Sequence, residues 1–274
     1  MNGKVYLVGA GPGDPELLTL RALRVLREAD LVLHDDLVSP AILNLAAPGA
    51  ELVNVGKRCG RKSASQEEID ARMIAGARQG LMVVRLKGGD PSVFARAGEE
   101  IEALRQAEVE FEIVPGVTAA SAASAAAGIS LTHRRVASTV VFFTGHPAVG
   151  KDHNSQDEWS ALRLRDGRLD ATLVVYMPGP DYSSLQGRLL GAGVPGETPC
   201  LLVSVLSAGG SLRHRTTVDK LENSPVMSTS AILIVGNVVK LAPSGPTAAR
   251  SSHWQILAQP AVAGRMDLEV QSVR

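Results

Sequence analysis

Within the first 115 residues, five short apolar runs alternate with helical patterns, and this alternation limits the possible folds more than any other feature. Val5 to Val8, Leu31 to Leu33, Leu52 to Val55, Leu81 to Leu86 and Phe111 to Val114 read as strands. Such near-continuous apolar runs suit strands buried on both faces of a parallel sheet. Between them lie helix signals. Asp14 reads as an N-cap with Pro15 the first helical residue, and Leu17, Leu20, Leu23 and Leu26 keep one face as far as Ala29. Ser39-Pro40 opens a second helix by the same logic. Ser65 and Glu68 form a capping box before a helix reaching about Gln79, and another helix is expected from Ala97 to Gln106. Short strand–helix connections of this kind predict an α/β fold with a mainly parallel, doubly wound N-terminal sheet.

The second half reads differently. Strands are expected at Val140 to Thr144, Thr172 to Met177, Cys200 to Ser207 and Ala231 to Val235, with less regular helix between them. Thr118 to Ala127 is almost entirely Ala and Ser and is closed by Gly128. Side chains this small permit tight helix-to-sheet packing, the reading favoured for most of the alanines, or the close approach of a ligand. Ala148 to Glu158 is polar and reads as a loop. From Leu241 onward the pattern weakens into a tail. The expected division is 1–134, 135–242 and a tail at 243–274.

Charge narrows the function classes. Lys plus Arg and Asp plus Glu both count 28, so the chain has no general attraction to nucleic acid or to an anionic membrane. Any basic site must be local. Cys59 and Cys200 form no CxxC pair, which predicts a reducing compartment and no zinc site. The start lacks a signal-peptide pattern and no segment is long enough to span a bilayer, so a soluble cytoplasmic protein is expected.

Three strands end in unusual turns. The first is Gly9-Ala10-Gly11-Pro12-Gly13-Asp14. A dinucleotide fingerprint would need glycine where Asp14 stands, and Pro12 removes a backbone N–H. An anion would lose a donor there and meet a carboxylate, whereas a neutral or cationic ligand would not. The second turn is Lys87-Gly88-Gly89-Asp90-Pro91, and the third is Pro115-Gly116-Val117-Thr118-Ala119-Ala120. Ligands of open α/β sheets bind at the C-terminal ends of strands, so three such turns on one edge predict one cleft.

Taken together, these turns resemble those of the tetrapyrrole methylases. The likeness runs from Val5 to about Val239 and includes Asp35-Asp36-Leu37-Val38-Ser39, Val55-Gly56-Lys57-Arg58, Arg85-Leu86-Lys87-Gly88-Gly89-Asp90-Pro91, Gly98-Glu99-Glu100 and Leu131-Thr132-His133-Arg134. It is most specific for the branch that methylates uroporphyrinogen III. The resemblance implies a two-lobed fold, with a mainly parallel N-terminal sheet, a mixed C-terminal sheet and a cleft between them. It also implies a homodimer, S-adenosylmethionine as methyl donor with S-adenosylhomocysteine as product, and methylation at C2 and C7 to give precorrin-2. Cofactor contacts carry over to Pro12, Gly88, Gly89, Asp90, Val93, Thr118, Ala119, Met177, Leu206 and Ala231. Asp35 matches the family's proposed proton acceptor and Lys57 its proposed donor. Arg96, Glu99 and Arg134 match positions associated with substrate binding or catalysis. An acceptor with eight carboxylates needs local cations, for which Lys57, Arg96, His133 and Arg134 are candidates.

The likeness has departures. His34-Asp35-Asp36 stands where the family usually has Tyr-Asp-Arg, and Ala95 replaces a glycine. The Ser204 to Arg215 region also diverges. The sequence contains no attached dehydrogenase–ferrochelatase module, so methylation alone is expected. Rival readings are a later corrin-ring methylase of the same fold, a class I methyltransferase, and a catalytically silent cofactor-binding homologue.

Overall fold

The computed structural model describes residues 3–56, 64–145, 169–205, 211–227 and 230–243. Lys57, Cys59, Leu206, the polar stretch Ala148 to Glu158 and the tail from residue 244 lie outside the described residues.

The first sheet contains β1 (Lys4–Gly9), β2 (Leu31–His34), β3 (Glu51–Asn54), β4 (Met82–Lys87) and β5 (Phe111–Val114). Its order is β3-β2-β4-β1-β5, and every pairing is parallel. Helices cover both faces, so successive strand residues alternate between two cores. Val8, Val32, Val84 and Leu86 pack with Ala22, Val25 and Leu26 of α1 (Leu20–Glu28) and with Ile42 of α2 (Pro40–Leu43). Val5, Leu7, Leu33 and Val83 face the other way. They meet Ile69 and Met73 of α3 (Gln66–Arg78) and Leu104 of α4 (Ala97–Gln106).

Two expected helix starts differ from what is observed. Asp14 caps only a 3-10 turn over Pro15–Leu17, by accepting from the Glu16 N–H at 2.9 Å. Leu18 is extended, and α1 begins afresh with Thr19 as its cap, whose hydroxyl accepts from the Ala22 N–H at 3.1 Å. The buried stripe is therefore Ala22, Val25 and Leu26, while Leu20 is 86% exposed. Ser39 does not cap α2; its hydroxyl donates 2.8 Å to the Gly13 carbonyl and ties β2's exit to the first glycine turn. The Ser65–Glu68 capping box forms as expected.

The second sheet contains β6 (Thr139–Thr144), β7 (Ala171–Tyr176), β8 (Pro199–Val205), β9 (Ser211–Thr217) and β10 (Ile232–Val235). Its order is β6-β7-β10-β8-β9; β6 and β7 are parallel and the other pairs antiparallel. One face packs Leu173, Val175, Leu202 and Leu233 on Leu185 and Leu189 of α6 (Tyr182–Gly191). The other packs Val174, Leu201, Val203 and Ile234 on Ala120, Ala123 and Ala127 of α5 (Ala119–Ala127). The alanine helix thus follows the last strand of the first sheet but joins the core of the second. Tight packing explains its small residues.

Candidate active site

All three turns meet at one edge of the first sheet, and they pack backbone on backbone. Gly11 and Gly89 exchange hydrogen bonds of 3.1 and 2.7 Å. A Cβ on Gly116 would lie 2.3 Å from the Gly89 carbonyl oxygen and 2.8 Å from the Gly9 Cα. A Cβ on Gly9 would lie 2.6 Å from Gly116. None of these neighbours is a flexible side chain that can move aside. Gly116→Ala is expected to cost about 1–3 kcal/mol of unfolding free energy by denaturant titration, as overpacked interiors do.

Asp90 locks the second turn to the third. Its carboxylate accepts from the Gly116 N–H at 3.0 Å, from the Ser92 N–H at 2.8 Å, and from the Ser92 hydroxyl. Partial burial would raise the Asp90 pKa, but these donors, Ser92 foremost, hold it below the ordinary aspartate value.

The turns line a cleft of about 470 Å³ that runs between the two sheets. Pro12, Gly88, Gly89, Asp90, Val93, Thr118, Ala119, Met177 and Ala231 all border it, as does Asp35. Asp36, Ser39, Phe94 and Tyr176 join them, and sequence reasoning assigned none of these to the site. Among the described lining residues are three aspartates, Asp35, Asp36 and Asp90, and no lysine, arginine or histidine. Asp14 is not in the lining, because its carboxylate serves the 3-10 turn. His34 is buried at the strand end, with Nδ1 3.0 Å from the Asp35 carbonyl oxygen.

Tyr176, at the end of β7, closes the cleft from the second sheet. Its hydroxyl is 2.6 Å from the Thr118 hydroxyl, and its ring packs on Phe94 and Phe142 with centroids 5.0 and 5.5 Å away. Burial raises its pKa. Tyr176→Phe keeps the ring contacts and removes the bridge, so it is expected to cost about 0.5–1.5 kcal/mol in chemical unfolding.

Asp35 leaves the end of β2 with its N–H donating 3.2 Å to the Leu86 carbonyl of β4. Its carboxylate pairs with the Arg85 guanidinium, which also donates from Nε to Glu100 at 2.9 Å. Glu100 in turn accepts from Lys87 Nζ at 2.7 and 2.8 Å. The periodicities bring these groups together. Val83, Arg85 and Lys87 share one face of β4, and Ala97, Glu100 and Leu104 form the buried stripe of α4 that covers it. A glutamate at an apolar position of that stripe was the available sequence signal. Burial opposes the Arg85 charge, but Asp35 and Glu100 hold its pKa above the ordinary value. For Lys87, burial and then repulsion from Arg85 win, and its pKa falls.

The remaining expected residues lie elsewhere. Arg96 sits in the left-handed region (φ 57°) at the start of α4 and pairs with Glu99 at 2.9 and 2.5 Å. Both are half exposed, an arrangement expected of an i, i+3 surface pair. Arg96 borders a separate hollow of about 310 Å³ with Pro91, Ser92, Phe94 and Ala95. Phe94 and Ala95 border both this hollow and the cleft. Arg134 is exposed in the turn closed by the His133–Ala137 bridge and lines neither space.

A parallel α/β sheet with a ligand-sized cleft at its strand ends, faced by a mixed sheet, defines an enzyme-like small-molecule binder. Residues 4–222 match the family model of the Tetrapyrrole (Corrin/Porphyrin) Methylases, and the chain belongs to that family. It is 44% identical to the uroporphyrinogen-III C-methyltransferase of Pseudomonas aeruginosa, over 88% of this chain and 96% of that protein. It is 45% identical to the siroheme synthase of Zymomonas mobilis, over 86% of this chain and 49% of that protein. The chain therefore spans about half the length of that relative. The Thermus thermophilus uroporphyrin-III C-methyl transferase, solved in complex with S-adenyl homocysteine, superposes with a TM-score of 0.73 at 39% identity. That match covers 87% of this chain and 100% of the other. Among the described residues, no helix is long and apolar enough to cross a membrane.

Proposed function

We propose that the protein methylates uroporphyrinogen III at C2 and C7 with S-adenosylmethionine, giving precorrin-2, and that it works as a cytoplasmic homodimer. The observation that carries this reading is the cleft lining, with its glycine turns, three carboxylates and no described cation. That donor set suits a sulfonium and ill suits a phosphate. S-adenosylmethionine bound there supplies an electrophilic methyl group and leaves as S-adenosylhomocysteine.

The chain's own residues do the rest. Backbone groups of Gly88, Gly89, Thr118 and Ala119 hold the ligand, and Met177 and Ala231 close the cleft from the second sheet. Positioning is the main contribution, because displacement at carbon needs the nucleophile in line. Asp35 accepts at a carboxylate oxygen the proton that the pyrrole nitrogen gives up as its ring carbon gains the methyl group. Lys57 gives a proton to a carbon of the methylated macrocycle as its double bonds rearrange, and takes one back from solvent. Arg96 and Arg134 serve the acceptor's carboxylates, which requires the Arg96–Glu99 pair to open, and Glu99 takes part in substrate binding or catalysis. Leu206 completes the cofactor contacts. The proposed lobes are 1–134 and 135–242, with the alanine helix of the first packed into the core of the second sheet.

Purified protein incubated with S-adenosylmethionine and enzymatically prepared uroporphyrinogen III is expected to give a product carrying two added methyl groups by mass spectrometry. S-adenosylhomocysteine binding without methyl incorporation would remove this acceptor. Methylation of a precorrin but not of uroporphyrinogen III would move the enzyme to a later corrin-ring step.

A further inference from the structure

The buried charges behind the cleft are not explained by stability. Arg85, Lys87 and Glu100 are 3%, 1% and 0% exposed, at the interface of β4 and α4. An ion cluster removed from water is no better a stabiliser than apolar side chains of the same volume, and is often a worse one. Counting charges shows where the cluster ends. Two cations face one buried anion, so the interior alone carries an excess positive charge. Asp35, 32% exposed at the cleft, is the fourth member and brings the sum to zero.

Geometry then separates the two cations. Among the described residues, the Lys87 ammonium pairs only with Glu100. Arg85 is held at all three of its nitrogens. Nε donates to Glu100, one terminal nitrogen lies 3.3 Å from both the Leu33 and Leu86 carbonyls, and the other donates to Asp35 Oδ1. A planar fork fixed in this way cannot turn about its bonds without breaking several of them. It therefore presents one fixed donor to the Asp35 carboxylate.

We infer that Arg85 is a positioning residue. Its guanidinium, clamped by Glu100 and two sheet carbonyls, sets the orientation of the Asp35 carboxylate at the edge of the cleft. Glu100 holds the guanidinium and takes Lys87 on the same carboxylate. This inference rests on the proton-acceptor role proposed for Asp35. Arg85 is not part of the cleft lining, and it acts only through Asp35.

The chemistry of the cluster selects the test. Arg85→Met leaves Lys87 and Glu100 as a neutral buried pair and, among the charged groups, frees only Asp35. Methyl transfer by Arg85→Met is expected to fall by about 10²-fold in kcat, the scale of a misplaced reacting group. S-adenosylhomocysteine affinity, by calorimetry, should stay within about threefold, since the glycine turns that carry the proposed cofactor contacts are untouched. Arg85→Lys restores the charge without the fork and should stay about tenfold down. In an Asp35→Asn background, Arg85→Met should change kcat by less than about threefold. Losses that multiply in the double variant would assign Arg85 a purely structural role and overturn the inference. Should Arg85→Met fail to fold, the same cycle is run with Arg85→Lys. Crystal structures of the wild type and the Arg85 variant decide the matter independently of turnover. The Asp35 carboxylate should leave its wild-type position in the variant, and an unmoved carboxylate overturns the inference. If the wild type does not methylate uroporphyrinogen III, the functional reading fails, and the crystallographic comparison still decides for or against Arg85.

Discussion

Glu100→Gln is expected to lower the unfolding free energy by about 3–5 kcal/mol, the penalty for stranding a buried charge. The glutamate is fully buried and takes bonds from both Arg85 and Lys87. Glutamine preserves the shape but leaves two adjacent interior cations sharing one partly exposed aspartate. The neighbouring Glu99→Gln provides the control. Glu99 is half exposed and pairs with the exposed Arg96, so its loss should cost less than about 1 kcal/mol. Denaturant titration of the two variants gives both numbers. A cost below about 1 kcal/mol for Glu100→Gln would mean that water reaches the cluster, contrary to the packing.

Asp35→Asn tests the chemistry in the same region. Asparagine keeps the size of the side chain and removes its capacity to take up a proton. If Asp35 is the proton acceptor, kcat for methyl transfer should fall by about 10²–10⁴-fold, the usual contribution of a positioned base. S-adenosylhomocysteine affinity should change little, because the glycine turns that carry the proposed cofactor contacts are untouched. A variant that retains wild-type turnover would assign the proton to another group or to water.

The sequence revealed the first sheet well because β1, β4 and β5 run straight into glycine or proline. Ala97–Gln106 and Phe111–Val114 lie where periodicity put them. Capping was read less well. Asp14, Thr19 and Ser39 are all residues that can cap, and only three-dimensional neighbours decide which of them does so. Ser39 spends its hydroxyl on Gly13 across 26 residues, which no local pattern encodes. β9 was missed because Ser211–Thr217 is polar, partly exposed and on a sheet edge, where alternation is weak.

The site was legible to the extent that it is made of backbone. Glycine and proline announce a turn one residue at a time, and the nine described residues to which the family resemblance assigns cofactor contacts all border the cleft. Side-chain networks gave fainter notice. Arg85 and Lys87 flank a glycine turn, and only its place on the Ala97–Leu104 stripe distinguishes Glu100 from Glu99. One step along a helix rotates a side chain by about 100°, enough to separate a solvent-facing carboxylate from a buried one. Tyr176 was hidden for another reason. It comes from the far lobe, and its meeting with Thr118 depends on how the two sheets face each other.

The reciprocal bonds between Gly11 and Gly89 have a bearing on how such a chain can diversify. A floor built from main-chain atoms has almost no side chains to lose. Substitutions at Asp36, Leu37, Phe94 or Ala95 can therefore reshape the rim, where a methyl acceptor must enter, and leave the floor in place. One molecule thus contains a part that is free to vary and a part that is not, and the boundary between them runs along the glycine seam. New acceptors can be sampled from such a scaffold without rebuilding the donor site each time.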